Sequence, residues 1–474
     1  MPPAASELLD ENDRAALRAH GLSEKEALGQ LELFANPPER IRLERPATRG
    51  DGVEIVEPAE HEELLSLFHS ASEKGRLSKF VPASGAATRM FEAFLSLRKD
   101  DPSADLARWE SRTPPDPRAS ALAAFRDGLP RFAFFPALRE AVAARGEDFD
   151  ALAGQGRLGP ILAAMLDADG LGFATLPKAL IPFHFDGDAS RTPFEEQLEE
   201  ALATVPSGAG PTRVHFTVSS DARDLFREAL AAALRTRQGI AFDVGFSEQS
   251  PATDTLAADE KNHPFRDASG ALVFRPGGHG ALLANLQATA GDVVLVKNID
   301  NVQHRSRRET TLLWKKLLAG FLLRAERNRK DHDRPLRVCG VVRNEGEPGG
   351  GPFWVTGRDG RATLQIVEAA EVDISSPEQK AILSGATHFN PVDLVCLLRN
   401  PSRHPYDLAR FVNPSAVFFA KKSKDGRELK ALERPGLWNG GMAEWDTHFV
   451  EVPVETFSPV KTILDLLRPA HQPL

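Results

Sequence analysis

Apolar positions along the chain follow two periods, and the period changes with position. Up to about residue 75 they recur at helical spacing. "SELLDENDRAALRAHGL", ending on Gly21, "SEKEALGQLELF" and "PAEHEELLSLFHSASEKG" each predict a helix. A Pro- and Arg-rich segment, 37–52, separates the second from the third. "RLSKFVPA" (76–83) is a continuous apolar run and predicts the first core strand. Residues 103–172 carry short helical pieces broken by Pro and Gly, with no strand pattern, and predict a helical insertion or lid. From 177 the two periods alternate. The pattern predicts helix 193–204, strand 212–219, a helix over "DARDLFREALAAALRTRQ" and a strand over "IAFDVGF". A helix near 279–289, strand 292–298, helix 306–328 and strand 336–343 follow. Such alternation predicts an α/β fold with a doubly wound, mostly parallel sheet. The tail 385–474 is more mixed and is expected to close over the sheet edge. The expected organisation is an N-terminal helical segment 1–76, an α/β domain 77–400 with the insertion 103–172, and a mixed segment 401–474 that completes the site.

Composition narrows the partners. The chain has 474 residues, 42% of them hydrophobic, enough for a sizeable core. Its formal net charge is −9 and its 58 Lys and Arg are dispersed, which argues against nucleic acid as a partner. Small phosphorylated substrates need only a few local cations and stay open. Cys339 and Cys396 lie in apolar stretches with no metal spacing, so both are expected to be buried, reduced thiols of a cytoplasmic protein. The start "MPPAASELLDENDR" is acidic and does not read as a signal peptide. The nearest approach to a membrane span, "LLWKKLLAGFLL", is broken by two lysines.

Five stretches carry candidate chemistry. In "FVPASGAATRMF" a strand runs into Ser84, Gly85, Ala86 and Ala87 and then a helix start, presenting backbone amides to an anion, with Arg89 close behind. In "LPKALIPFH" Lys178 follows Pro177, a compact charge suited to a phosphate oxygen. Just downstream, Thr192, Pro193 and Glu195 form a capping-box pattern. In "RPGGHGALLANL" Gly277, Gly278 and Gly280 let a flat group approach the main chain. In "DVVLVKNIDNV" Asp300 follows an apolar strand, where α/β sheets bind ligands and where one carboxylate plus phosphates can hold Mg²⁺. In "TFSPVKTILDLL" Lys461 sits between a Pro-fixed turn and an amphipathic stretch. Each also has a plain structural reading: a helix-surface arginine, a solvated lysine, a simple loop, an Asp-Asn turn.

Taken together the stretches resemble sugar nucleotidyltransferases. "PASGAATRM" resembles their "LAAGxGTRM" signature and "PKALIPF" their lysine motif. "PGGHGALL" and "NIDN" are similar to the "PxGHGD" loop and "NxDN" of UDP-sugar pyrophosphorylases. "FSPVKTILDLL" resembles their late "FxPVKTxxDLL". The motifs keep the family's order across 82–467. "FNPVDLVCLLRNP" and "ELKALERPGLWNGGM" resemble a bacterial family, the domain of unknown function 4301. The resemblance implies a nucleotide-diphospho-sugar transferase fold of GT-A type, joining a nucleoside triphosphate and a sugar 1-phosphate with release of pyrophosphate. It implies that the Ser84–Ala87 amides and Arg89 hold the β and γ phosphates and that Lys178 meets phosphate. It implies that Gln249, in "FSEQSPATD", reads a uracil, that Gly278 and Gly280 pack on base or ribose, that Asp300 holds Mg²⁺, and that Lys461 reaches the α or sugar phosphate. The sequence departs from the pattern in three ways: Ala87 replaces a glycine, Lys178 lies 89 positions (178 − 89) after Arg89, and no β-helix follows Lys461.

Other readings compete. A non-catalytic nucleotide or nucleotide-sugar binder on the same fold is the principal alternative. A glycosyltransferase would need a DxD-like motif at a strand end, a pattern that Asp186–Asp188 meets, but after the lysine motif. "HFDGD" (184–188) otherwise reads as a turn before the capped helix rather than a metal site. The "GEPGGGPF" loop (346–353) reads as a hairpin connection, "RSRRETTLLWKK" as a solvated helix face, and His448 as structural.

Overall fold

The computed structural model describes residues 8–187, 189–208, 210–237, 239–289, 291–346, 349–357 and 360–474. Asp188 of the "DGD" motif and Glu347 and Pro348 of the "GEPGGGPF" loop lie outside the described residues. The chain forms two compact units, both discontinuous in sequence. The first comprises 1–80, 247–296 and 316–452; the second comprises 81–246, 297–315 and 453–474. The segments 1–76, 77–400 and 401–474 therefore each describe a stretch of chain rather than one of these units.

The first unit is built on a large, mostly parallel sheet. Strand Leu77–Pro82 pairs in parallel with Val293–Lys297, with Leu77 opposite Val293. Leu336–Arg343 pairs in parallel with Asp446–Glu451, which pairs in parallel with Gly52–Glu54. His388–Leu397 runs antiparallel to Leu336–Arg343. All ten residues of His388–Leu397 are buried, as in a strand covered on both faces, polar His388, Asn390 and Asp393 included. The tail thus differs from its expectation: rather than closing over the sheet edge, it inserts two strands into the sheet's middle. The 37–52 segment also differs. It carries strand Leu43–Pro46, paired antiparallel with Gly351–Thr356, and leads into Gly52–Glu54. Leu43 and Val53 are buried and tie this polar stretch to the core. The N-terminal helices Glu11–His20 and Glu24–Ala35 both start with capping boxes, on Asp10 and Ser23. Cys339 and Cys396 are free and buried, as expected. Burial pushes the Cys339 thiol up to about 11.

In the second unit, helix Pro193–Thr204 starts on the Thr192–Glu195 capping box read in the sequence. Strands Thr212–Val218 and Phe242–Glu248 flank helix Arg223–Arg235 in sequence. Residues 103–172 hold five short helices and no strand. Three of these helices begin on aspartates, Asp105, Asp116 and Asp148, whose carboxylates accept backbone N–H bonds. Their apolar faces share one core with Phe91, Phe183, Val460, Ile463 and Leu466. Among the described residues, no helix is long and apolar enough to cross a membrane.

Candidate functional site

The site assembles in the second unit from four stretches far apart in sequence. Strands Leu77–Pro82 and Val293–Lys297 are parallel neighbours, so the loops that follow them leave in the same direction. The first loop carries Ser84–Ala87, the second Asn298–Asn301. Ser84, Gly85 and Ala86 are exposed, and their backbone amides donate no hydrogen bond among the described residues. A Cβ added at Gly85 would meet nothing within 4 Å. The chain then turns through the 3-10 helix Ala87–Phe91 into helix Glu92–Asp100. Ala87 is buried, its methyl facing the aromatic core. Arg89 is exposed, with no ion pair among the described residues.

The 89-position gap closes locally. Ala86 bridges Pro177 in antiparallel fashion, and the Lys178 N–H donates to the Gly85 carbonyl at 3.3 Å. The intervening helices therefore loop out and return, placing the lysine motif beside the small-residue turn. The Lys178 ammonium donates to Asp300 Oδ2 at 2.6 Å and to the Val460 carbonyl. Lys461 Nζ stands 3.9 Å from the same Asp300 oxygen. Asp300 is mostly buried, its side chain 12% exposed, whereas the Lys461 side chain is 65% exposed. Burial opposes the Lys178 ammonium and lowers its pKa, with the Asp300 carboxylate acting against that shift. Burial alone would raise Asp300, but Lys178 and then Lys461 hold its carboxyl below the usual range. The result is a buried carboxylate pinned by one lysine, with a second, solvent-facing ammonium at its edge.

The Lys461 stretch is held by residues to which the sequence reading gave no role. Asp465 Oδ2 accepts the Lys461 and Thr462 N–H groups at 2.8 and 2.7 Å, a capping box at the head of the 3-10 helix Ile463–Leu467. Asn301 Oδ1 accepts the Ser458 N–H at 2.8 Å, and the Val460 N–H donates to the Asp300 carbonyl. Gln303 takes a bond from Thr311 at 2.7 Å and donates to Ser458 Oγ at 3.2 Å. From helix Pro193–Thr204, Gln197 donates to the Asn298 carbonyl at 3.0 Å. The Thr-x-x-Asp spacing at 462–465 was the available signal for Asp465. Asn301 closes the "NIDN" match, but its partner Ser458 lies 157 positions away; nothing local marks Gln303, whose partners lie across a loop and in the C-terminal segment.

Pairing bears on two other stretches. "RSRRETTLLWKK" is not simply a solvated face. Arg308 reaches buried Glu196 at 3.3 Å, and buried Lys315 pairs with buried Glu200. Glu196 and Glu200 share one face of helix Pro193–Thr204, and two buried carboxylates require cations. His184, in "HFDGD", opens the hairpin His184–Asp186/Ala189–Arg191 and bonds Glu196 and His471. Among the described residues, no group of three His, Cys, Asp or Glu side chains could hold a metal ion.

Gln249, Gly278 and Gly280 belong to the first unit. Gln249 donates to Asp254 at 2.9 Å, and Asp254 also meets His20 of the first helix at 3.0 Å. Gly278 has φ +73°, and a Cβ there would lie 2.7 Å from Glu433. A Cβ on Gly280 would lie 2.0 Å from the Pro435 carbonyl oxygen. These glycines let the loop lie against the chain's own 433–435 segment. His448 bonds Glu54 at 2.6 Å, a structural contact.

Solved structures share this fold. UDP-N-acetylglucosamine pyrophosphorylase from Trypanosoma brucei is similar with a TM-score of 0.55 at 15% identity, covering 98% of this chain and 80% of that one. A point variant of UDP-glucose pyrophosphorylase from Leishmania major, in complex with UDP-glucose, gives a TM-score of 0.51 at 14% identity, covering 98% and 78%. At such identity the likeness is one of fold. No curated protein matches the chain. The family described as domain of unknown function, DUF4301, matches residues 10–332 and 324–472, nearly the whole sequence, and the chain belongs to that family.

Proposed function

We propose that the chain is a nucleotidyltransferase that joins a nucleoside triphosphate and a sugar 1-phosphate. The observation that carries this reading is the convergence of Lys178 and Lys461 on Asp300, with the bare Ser84–Ala86 amides stitched to Lys178. In the reaction a phosphate oxygen of the sugar 1-phosphate bonds to the α-phosphorus. The bond from that phosphorus to the bridging oxygen breaks, and pyrophosphate leaves with the electron pair. Such chemistry calls for positioning and charge neutralisation rather than a covalent nucleophile. The amides of Ser84–Ala87 and the guanidinium of Arg89 would receive the leaving pyrophosphate. Lys461, solvent-facing, would meet the α or sugar phosphate, and Lys178 would contribute charge from below.

The residues present fit Mg²⁺ in one way. Asp300 offers a single carboxylate, one oxygen of which Lys178 already engages, so substrate phosphates would supply most of the shell. Bound there, the ion would neutralise phosphate charge.

A second reading, a non-catalytic nucleotide-sugar binder, is favoured by Ala87, whose buried methyl stands where the related signature has glycine. Exchange of labelled pyrophosphate into nucleoside triphosphates separates the two. Exchange dependent on a sugar nucleotide supports catalysis. Saturable binding of the sugar nucleotide without exchange would leave the binder.

A further inference from the structure

The C-terminal segment 453–474 supplies both the Val460 carbonyl and Lys461, yet it has no strand or α-helix to fix it. Val460, Ile463 and Leu466 bury its middle, and side-chain and loop contacts hold its two ends. The front end is held by Asn301 and the Asp300 carbonyl, as described above. The rear end is held at His471, 10 residues (471 − 461) beyond Lys461. His471 is 2% exposed, and its Nδ1 lies 3.0 Å from His184 Nε2, with the two rings stacked at 5.3 Å. His184 is fully buried and places its other nitrogen, Nδ1, 2.9 Å from Glu196 Oε1. Beside this pair, the His304 N–H donates to the Ala470 carbonyl at 2.9 Å, and Arg307 Nε donates to the Gln472 carbonyl at 2.9 Å.

Glu196 accepts, so His184 Nδ1 carries a proton, and the remaining bond joins the two rings, His184 Nε2 to His471 Nδ1. Burial pushes His471 down to about 3, consistent with a neutral ring. A buried imidazole–imidazole bond on a carboxylate is a costly arrangement to maintain for packing alone. An apolar pair would fill the same volume. Its directional bond does what apolar contact would not: it fixes the segment's register against the hairpin that follows the lysine motif.

We infer that His471 and His184 form a latch that sets the position of Lys461 and the Val460 carbonyl, making both histidines positioning residues for the phosphate-facing lysines. The inference rests on the nucleotidyltransferase reading for its kinetic consequence, but not for its structural one.

The test compares His471→Leu, which keeps the buried volume and loses the bond, with His471→Gln, which keeps a donor. In pyrophosphate exchange, His471→Leu is expected to lower kcat about 10- to 100-fold, the loss expected from a lysine displaced by about 1 Å. KM for the nucleoside triphosphate should change less than about threefold, and His471→Gln should restore most of kcat. Amide hydrogen exchange should quicken over 457–462 in His471→Leu and not in His471→Gln. A folded His471→Leu with parental kcat, or equal losses in both variants, overturns the latch. If the parent protein does not exchange pyrophosphate, the proposed function fails and hydrogen exchange alone decides: unchanged protection at 457–462 in His471→Leu overturns the latch. Should His471→Leu not fold, Arg307→Ala loosens the same end from a half-buried position. It is expected to quicken exchange at 457–462 and lower kcat about three- to tenfold, and parental values in both overturn the proposal.

Discussion

Lys461 and Glu371 illustrate how position decides what a charged residue does. The Lys461 side chain is 65% exposed and its backbone is secured by Asp465, so the ammonium contributes little to folding. Lys461→Ala is expected to change stability within about ±0.5 kcal/mol. If the proposed reaction holds, it should cost about 10²–10³ in pyrophosphate exchange, the worth of one charge-stabilising donor in a preorganised site. A folded Lys461→Ala that exchanges at the parental rate would sink the assignment. Glu371 is the converse case. It is 2% exposed, caps its own turn at the Glu368 N–H at 2.8 Å and takes a bond from Asn439 at 3.1 Å. Burial raises its carboxyl to about 7. A raised pKa means that the folded state holds the proton more tightly, so this group's stabilising contribution is complete below about 4.5 and is lost as pH rises through about 7. Between those values its slope approaches about 1.4 kcal/mol per pH unit. Glu371→Gln should therefore lose less stability than the parent between pH 5 and pH 8 in thermal melts. An identical loss in both proteins would refute the assignment. Sequence motifs made Lys461, Lys178 and Asp300 visible as separate marks. They did not show that Asp300 is pinned by Lys178, because the contact spans 122 positions (300 − 178) and depends on how a loop returns.

Elements were more legible than contacts, since helices and strands follow local periodicity. Helix Pro193–Thr204 and strand Leu336–Arg343 have the bounds that their patterns predict. The 37–52 stretch was missed because its strands are short and half polar, with only scattered buried side chains such as Leu43. Two loops that look alike in sequence separate at this scale. Both are small-residue turns that open 3-10 helices, Ala87–Phe91 and His279–Leu282. At Gly85 a Cβ meets open space, whereas at Gly280 it meets main-chain oxygens of Pro435 and Arg434 at 2.0 and 3.0 Å. Backbone cannot swing aside as a side chain can. Gly280→Ala is thus expected to cost roughly 1–3 kcal/mol, as overpacked sites do, while Gly85→Ala should stay within about ±0.5 kcal/mol. Denaturant titration of the two variants checks the contrast, and equal stabilities would contradict it.

At the scale of the whole chain, linear reading meets its limit, because each compact unit draws on three separated stretches. Residues 453–474 illustrate the point. In sequence they look like a mixed tail, yet they belong to the second unit together with 81–246. Val460, Ile463 and Leu466 are at most 2% exposed and share the core of the 103–172 helices. Removing three buried aliphatic side chains exposes their partners to water, at a typical 2–5 kcal/mol for each large-to-small loss. The strands Leu336–Arg343 and His388–Leu397 of the first unit draw no residue from the segment. A chain ending at Val452 should therefore lose amide protection across 90–183 while keeping it across 336–343 and 388–397, as unequal local stability allows. Hydrogen exchange followed by mass spectrometry reads both regions in one experiment. Full protection of 90–183 in the shortened chain would mean that the aromatic core stands without its C-terminal side chains, and the segment would then serve the lysine site alone. Loss in the 336–343 and 388–397 strands as well would contradict the prediction.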